Sequence, residues 1–353
     1  MRRGYDLARM GDLYDELPKV ELHCHVEGTV RPTTVMELAR KAGRPLPVDD
    51  PAELYSYSSL DTFLAIFWLV QETLTEPADW ERVAYESLVD AAPHGLRYRE
   101  TFFTPARHLA AGHDLAGIID GLSAGIAAAE AASGVRAALI ADMDRAYGPA
   151  AGLDLVEQVI ALRRAGRADL VIGIGMDSTE LGVDLAAFKP AYDRARAAGL
   201  RVTGHAGEAV GVGPANIRVA IDVLGVERVD HGVAVMEDPE LVRRMADERI
   251  PLTVCPNSNV VIANRFPSLE AHPFRAMRAA GLVATINTDD PGMTDLDLGK
   301  EYRTLAAAQG LTFDELAAVA LDSVEACWLE EQAKAALRSE FEARLAELRP
   351  AAA

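Results

Sequence analysis

A chain of 353 residues, half of them apolar and a quarter charged, has enough material for one sizeable core and is too apolar to be disordered. Its formal net charge of −19, from 54 acidic and 35 basic residues, excludes a basic nucleic-acid or anionic-membrane surface and suits a small neutral or cationic ligand. The three cysteines, Cys24, Cys255 and Cys327, are widely spaced with no CxxC pair, so neither a disulfide framework nor a thiolate metal site is expected and a reducing cytoplasm follows.

The N-terminus is basic for three residues and then carries acids where a signal peptide needs an apolar run. No stretch approaches the roughly 18 to 20 uninterrupted apolar residues of a membrane span. Eight short apolar, β-branched runs follow one another: 19–25 (KVELHCH), 96–103 (LRYRETFF), 136–143 (RAALIADM), 170–176 (LVIGIGM), 201–206 (RVTGHA), 228–233 (RVDHGV), 251–255 (PLTVC) and 282–288 (LVATINT). Amphipathic segments of helical period separate them, among them 155–165 and 239–248. This alternation predicts parallel βα units closed into a single (β/α)8 TIM barrel over 1–353. The long insertion 33–93 after the first run carries Phe63, Phe67 and Trp68 at helical spacing, which fits an extra helix packed on the core or a lid over a pocket. After the last run, Thr312 and Glu315 stand in capping-box spacing and open a helical stretch to residue 348, expected to wrap the barrel's outside.

Polar residues collect at the ends of these runs. In a βα barrel such ends converge on one mouth, so positions far apart in sequence become neighbours. The first run closes on His23-Cys24-His25, where strand alternation sets both imidazoles on one face. The fifth closes on His205-Ala206-Gly207-Glu208, the sixth on Asp230-His231-Gly232, and the eighth leads into Asp289-Asp290-Pro291. Imidazoles with a carboxylate are a ligand set for a divalent metal such as zinc. Neither HEXXH nor an HxE plus CxxC pattern is present.

In this order, PKVELHCHVEGT, GHAGE, RVDHGV, PLTVCPNSNV and INTDDP span nearly the whole chain, and together they resemble the adenosine deaminases of the amidohydrolase superfamily. The resemblance implies one zinc ion per chain, held by His23, His25, His205 and Asp289. It implies that His231 lies beside the metal's water, accepting a proton and stabilising the developing oxyanion, with Asp289 assisting from its second oxygen. It makes Glu208 the acid that protonates the purine at N1, and Asp290 the partner of N7. Glu27, Ser178 and Gly207 are expected as further substrate contacts, whereas Asn257 and Ser258 are expected to shape the seventh loop.

Two positions leave the commonest pattern of that family. Glu27 in HVEGT stands where many members have Asp, and Ser178 in GIGMDSTE stands where many have glycine. Both departures resemble the adenine deaminase branch, while NTDDPGMTDLDLGKEY is closer to the nucleoside enzymes. The expected substrate is a 6-aminopurine, adenosine or a related nucleoside first, with free adenine and 6-aminodeoxyfutalosine as alternatives. A barrel metallohydrolase cleaving an ester or amide and a non-catalytic binding protein on the same scaffold are the readings from other classes. No nucleic-acid or membrane partner is expected, and the sequence sets no oligomeric state.

Overall fold

Each of the eight apolar runs becomes a strand, and in the computed structural model all eight pair in parallel in chain order, β1 to β8. The structure describes residues 13–57 and 60–349, so the basic N-terminal residues and the closing alanines lie outside the described residues. The strands are β1 (Lys19–Glu21), β2 (Leu96–Phe103), β3 (Arg136–Asp144), β4 (Val171–Asp177), β5 (Arg201–Ala206), β6 (Arg228–His231), β7 (Leu252–Val254) and β8 (Ala284–Ile286). Strands buried on both faces read as near-continuous apolar runs, as β3 does from Ala137 to Met143 with Asp142 as the exception, and the whole stretch is buried.

β1 is shorter than its apolar run. Beyond Glu21 the chain peels from the ladder and is held by single bridges, Cys24 to Asp289 and His25 to Phe102. These bridges also draw β8 to β1. The Asn287 side chain accepts from Leu22 N at 2.8 Å, Asp289 N donates to His23 O at 3.1 Å, and His25 N donates to Asp289 O at 2.9 Å. The barrel seam is thus stitched by the segments that carry candidate metal ligands.

Helices cover the outside: α1 (Pro32–Ala42), α2 (Leu60–Thr73), α3 (Pro77–Ala91), α4 (Leu115–Ser133), α5 (Gly148–Arg164), α6 (Lys189–Ala197), α7 (Pro239–Asp247), α8 (Pro256–Val261), α9 (Phe274–Ala279), α10 (Leu298–Gln309), α11 (Phe313–Ala326) and α12 (Glu331–Leu348). Helix α4 is long and apolar enough to cross a membrane by length and composition, but half of it is buried inside the protein. Its glycines explain the fit, because a Cβ at Gly121 would lie 2.1 Å from Pro77 O on α3. The capping box at Thr312 forms as the sequence predicts and starts α11.

The insertion supplies α1 to α3. Phe63 is buried and its ring stacks on Phe67 at 5.9 Å, as core packing requires, while Trp68 remains 40% exposed beneath the Arg107 guanidinium. At the opposite end from the strand carboxyl termini, Arg228 and Glu100 form a buried ion pair inside the barrel, and the Arg228 guanidinium lies 3.8 Å from the centre of the Trp328 ring.

Candidate active site

The strand ends deliver four ligand groups to one point. The Nε2 atoms of His25 and His205 are 3.2 Å apart, and Asp289 Oδ1 lies 3.1 Å from His23 Nε2 and 3.4 Å from His25 Nε2. A tetrahedron with metal–ligand bonds of about 2.0–2.1 Å has edges near 3.3 Å, so these separations suit one zinc-sized ion. All four residues are buried.

Hydrogen bonds behind the ring nitrogens fix their orientation. His205 Nδ1 donates to the carbonyl of Met176 at 3.0 Å. His23 Nδ1 lies 3.0 Å from Thr253 Oγ1, whose hydroxyl is committed to Asp230 Oδ1 at 2.8 Å. Both rings therefore keep Nε2 free of a proton and aimed at the ligand point, as metal-binding histidines require. Burial pushes His23 down to about 3 and His25 to about 4, and His205 well below its ordinary value. Burial alone would raise Asp289, but the His23, His231 and His25 imidazoles and the bond with His23 outweigh it and hold the carboxyl below its usual range. Neutral imidazoles and an ionised carboxylate are the states that bind a cation.

An overlapping group of His23, His231, Cys255 and Asp289 is also close enough to share an ion. Burial and the neighbouring carboxylates drive the Cys255 thiol far up, so it makes a poor thiolate ligand.

Glu208 lies at the mouth on the residue pair after β5, about a fifth exposed, with Oε1 3.6 Å from His231 Nε2. Burial raises its carboxyl, His231 opposes that, and Asp289 and Glu180 add to it. Its backbone is held by Glu180, a buried residue that sequence reasoning missed. Glu180 accepts from the N–H groups of Gly207 and Glu208, each at 2.8 Å, from Ala209 at 3.3 Å and from the Asn216 side chain at 3.0 Å. Gly207 has φ +74°, and a Cβ there would press to 2.7 Å from Ile217.

Asp290 and Glu27 meet on the other side. A Cβ at Gly28 would stand 1.8 Å from Asp290 Oδ1, so only glycine lets these segments close. Glu27 is fully buried, one oxygen accepting from Thr104 N at 2.8 Å and the other without a partner; burial lifts its carboxyl to about 7 against that bond. Asp290 is also pushed well up, by burial first and then by Asp289, Glu27 and Glu208. Tyr57, from the insertion, is close enough to Asp290 to feel its charge. Ser178 follows β4 in an exposed turn.

His231, Asp289 and Ser178 all have left-handed backbones, with φ of 58°, 67° and 76°. Such conformations cost about 1–3 kcal/mol each and persist where the surroundings over-determine them. The loop after β7 departs from the expectation in one respect. Asn257 shapes it, donating to Glu301 through both N and Nδ2, but Ser258 reaches the centre and donates to Asp289 Oδ2 at 2.6 Å.

The adenosine deaminase family profile matches residues 18–344. An adenine deaminase of Streptomyces coelicolor is 36% identical over 348 residues, covering 97% of this chain and 98% of that protein. The crystal structure of an adenine deaminase from Arthrobacter aurescens aligns with a TM-score of 0.87 at 33% identity, covering 92% of this chain and 98% of the other. An amidohydrolase from Burkholderia ambifaria, solved with bound zinc, aligns with a TM-score of 0.90 at 33% identity, covering 98% and 96%.

Proposed function

The chain belongs to the adenosine deaminase family, and we propose that it hydrolyses free adenine to hypoxanthine and ammonia with one zinc ion at the His23, His25, His205 and Asp289 centre. The observation that carries this reading is the four-ligand group of His23, His25, His205 and Asp289, with the Glu208 carboxyl 3.6 Å from His231 on one side and the buried Asp290 carboxyl beside Gly28 on the other. The ring edge of adenine offers lone pairs at N1 and N7. Protonated carboxyls are the hydrogen-bond donors that such lone pairs need.

A zinc ion bound there supplies a water that ionises near neutral pH. The chain's own residues do the rest. Glu208 gives its proton to N1 as an oxygen–carbon bond forms at C6, so the ring's π electrons have somewhere to go. Now ionised, Glu208 takes the first proton that the water loses. The second passes to the amino group, the C6–N bond breaks with its electron pair, ammonia leaves, and the 6-oxo purine remains. Asp290 holds N7, Gly207 and Ser178 border the ring, and His231 faces the reacting carbon.

Free adenine is favoured over a nucleoside by the named activity of the relatives and by Glu27. Its carboxyl is enclosed, with one oxygen unpartnered. A compact base bearing N–H at N9 can bond that oxygen, whereas a ribose must displace it. The three buried, unpaired cysteines suit a reducing compartment.

The test follows the ultraviolet change on deamination of adenine, adenosine, deoxyadenosine, methylthioadenosine and 6-aminodeoxyfutalosine. We expect kcat/KM for adenine to exceed that for adenosine by at least about a hundredfold, because a site built to bond a polar group rejects the analogue lacking it. Glu27→Asp should narrow that ratio. Equal or better turnover of a nucleoside would sink the adenine assignment, and no turnover of any 6-aminopurine would return the ester or amide hydrolase reading.

A further inference from the structure

His231 differs from the ligand histidines His23 and His205 in the direction of the hydrogen bond behind its ring. The Phe274 backbone N–H, which can only donate, points at His272 Nδ1 from 3.1 Å. A neutral imidazole with a bare Nδ1 carries its proton on Nε2. That Nε2 lies 3.1 Å from Asn259 Oδ1, so it donates there. The Asn259 amide is oriented by this contact, because turning it over would set its NH2 against the His272 N–H. Asn259 Nδ2 consequently faces His231 Nδ1 at 3.1 Å and donates to it.

The chain of directions ends at the reacting side of His231. With Nδ1 occupied as an acceptor, the ring proton is on Nε2, the atom 3.6 Å from Glu208 Oε1 and 3.9 Å from Asp289 Oδ2. Both relay residues are buried, Asn259 at 0% and His272 at 4% exposure, so water does not compete for these bonds. Burial, then the proximity of His231, pushes His272 down to about 3, so it stays neutral.

We propose that Asn259 and His272 are positioning residues that hold His231 in its Nε2–H form, so that His231 donates a hydrogen bond to the oxygen arriving at C6. The role at C6 rests on the deaminase reading above; the tautomer does not. His231 then differs from the proton acceptor suggested by the family resemblance, and proton traffic falls to the carboxyl of Glu208.

The experiment is a long-range proton–nitrogen spectrum of the zinc-loaded, nitrogen-15 histidine-labelled protein near neutral pH, with the His231 signals assigned by their loss in His231→Gln. The expected pattern is a bare Nδ1 and a protonated Nε2 at both His231 and His272. A His231 with a bare Nε2 overturns the proposal. Asn259→Asp offers a carboxylate in place of the amide N–H and should move the proton to His231 Nδ1. With Nε2 then bare and zinc content unchanged, kcat should fall about 10²- to 10³-fold, the usual loss for one oxyanion donor. A bare Nε2 with kcat within about threefold of the parent would remove the donor role. The spectrum needs no substrate, so the expected tautomer in a protein inactive on every 6-aminopurine would sink the deaminase reading and leave the relay standing.

Discussion

Glu208 owes its position to a buried neighbour that bonds the backbone around it. Glu180 gathers three consecutive backbone N–H groups and the Asn216 amide on one carboxylate, and those N–H groups belong to the turn that aims Glu208. Replacing one carboxylate oxygen by NH2 removes an acceptor and sets two donors against each other. Glu180→Gln should therefore lower kcat by about 10²-fold, the scale of a catalytic group displaced by roughly 1 Å. Zinc content measured alongside should stay at the parental level, and unchanged kinetics would show that the turn holds without Glu180. The candidate site residues themselves were readable because their types and order along the chain match a known set. Glu180, Asn259 and His272 were not, since an acid after a strand or an Asn in a loop is common and its meaning appears only when the backbone or ring it bonds is in place. Ser258 is the intermediate case, visible in CPNSNV yet read as loop shape until its hydroxyl was found on Asp289.

Elements that look peripheral set the loops of the site. Glu301 on α10 is completely buried and accepts from Asn257 at the start of α8, which in turn carries Ser258 and Asn259. Burial lifts the Glu301 carboxyl to about 8 against the two Asn257 bonds, well above the 4.5 of a free side chain. A carboxyl raised on folding binds more protons in the native state, so its stabilising contribution is complete below about pH 4.5 and is lost as pH rises through about 8. Glu301→Gln cannot titrate. Its melting temperature should fall less than that of the parent between pH 6 and 8, the difference approaching at most about 1.4 kcal/mol per pH unit in stability. Parallel melting curves over that range would mean that Glu301 stays ionised in the fold. Strand and helix placement was legible at this scale, because apolar runs and capping residues act locally. β1 ended early for a reason no local rule gives: residues 22–25 leave the ladder to meet Asp289 across the seam.

For the molecule as a whole, the metal centre and the seam are one structure. His23 and His25 follow the first strand, His205 lies on the fifth, and Asp289 sits in the loop beyond the eighth, so an ion there would tie the two ends of the sheet together. Binding that favours only the folded chain adds about 4 kcal/mol at a free ion concentration 1,000 times Kd. Stripping the ion with a chelator should lower the melting temperature, and restoring zinc should recover it; identical curves with and without chelator would show that the barrel closes unaided. The −19 charge was legible from the start as a statement about partners, and it gave no information about where an ion would be held.

The stitched seam also dictates an order of events during synthesis. A chain emerging from the ribosome presents His23 and His25 early, yet nothing completes their group until the last strand and then Asp289 have cleared the exit tunnel. Domains generally fold as units while being made. Here closure of the seam and completion of the four-residue group coincide, so an incomplete chain carries three imidazoles without their carboxylate.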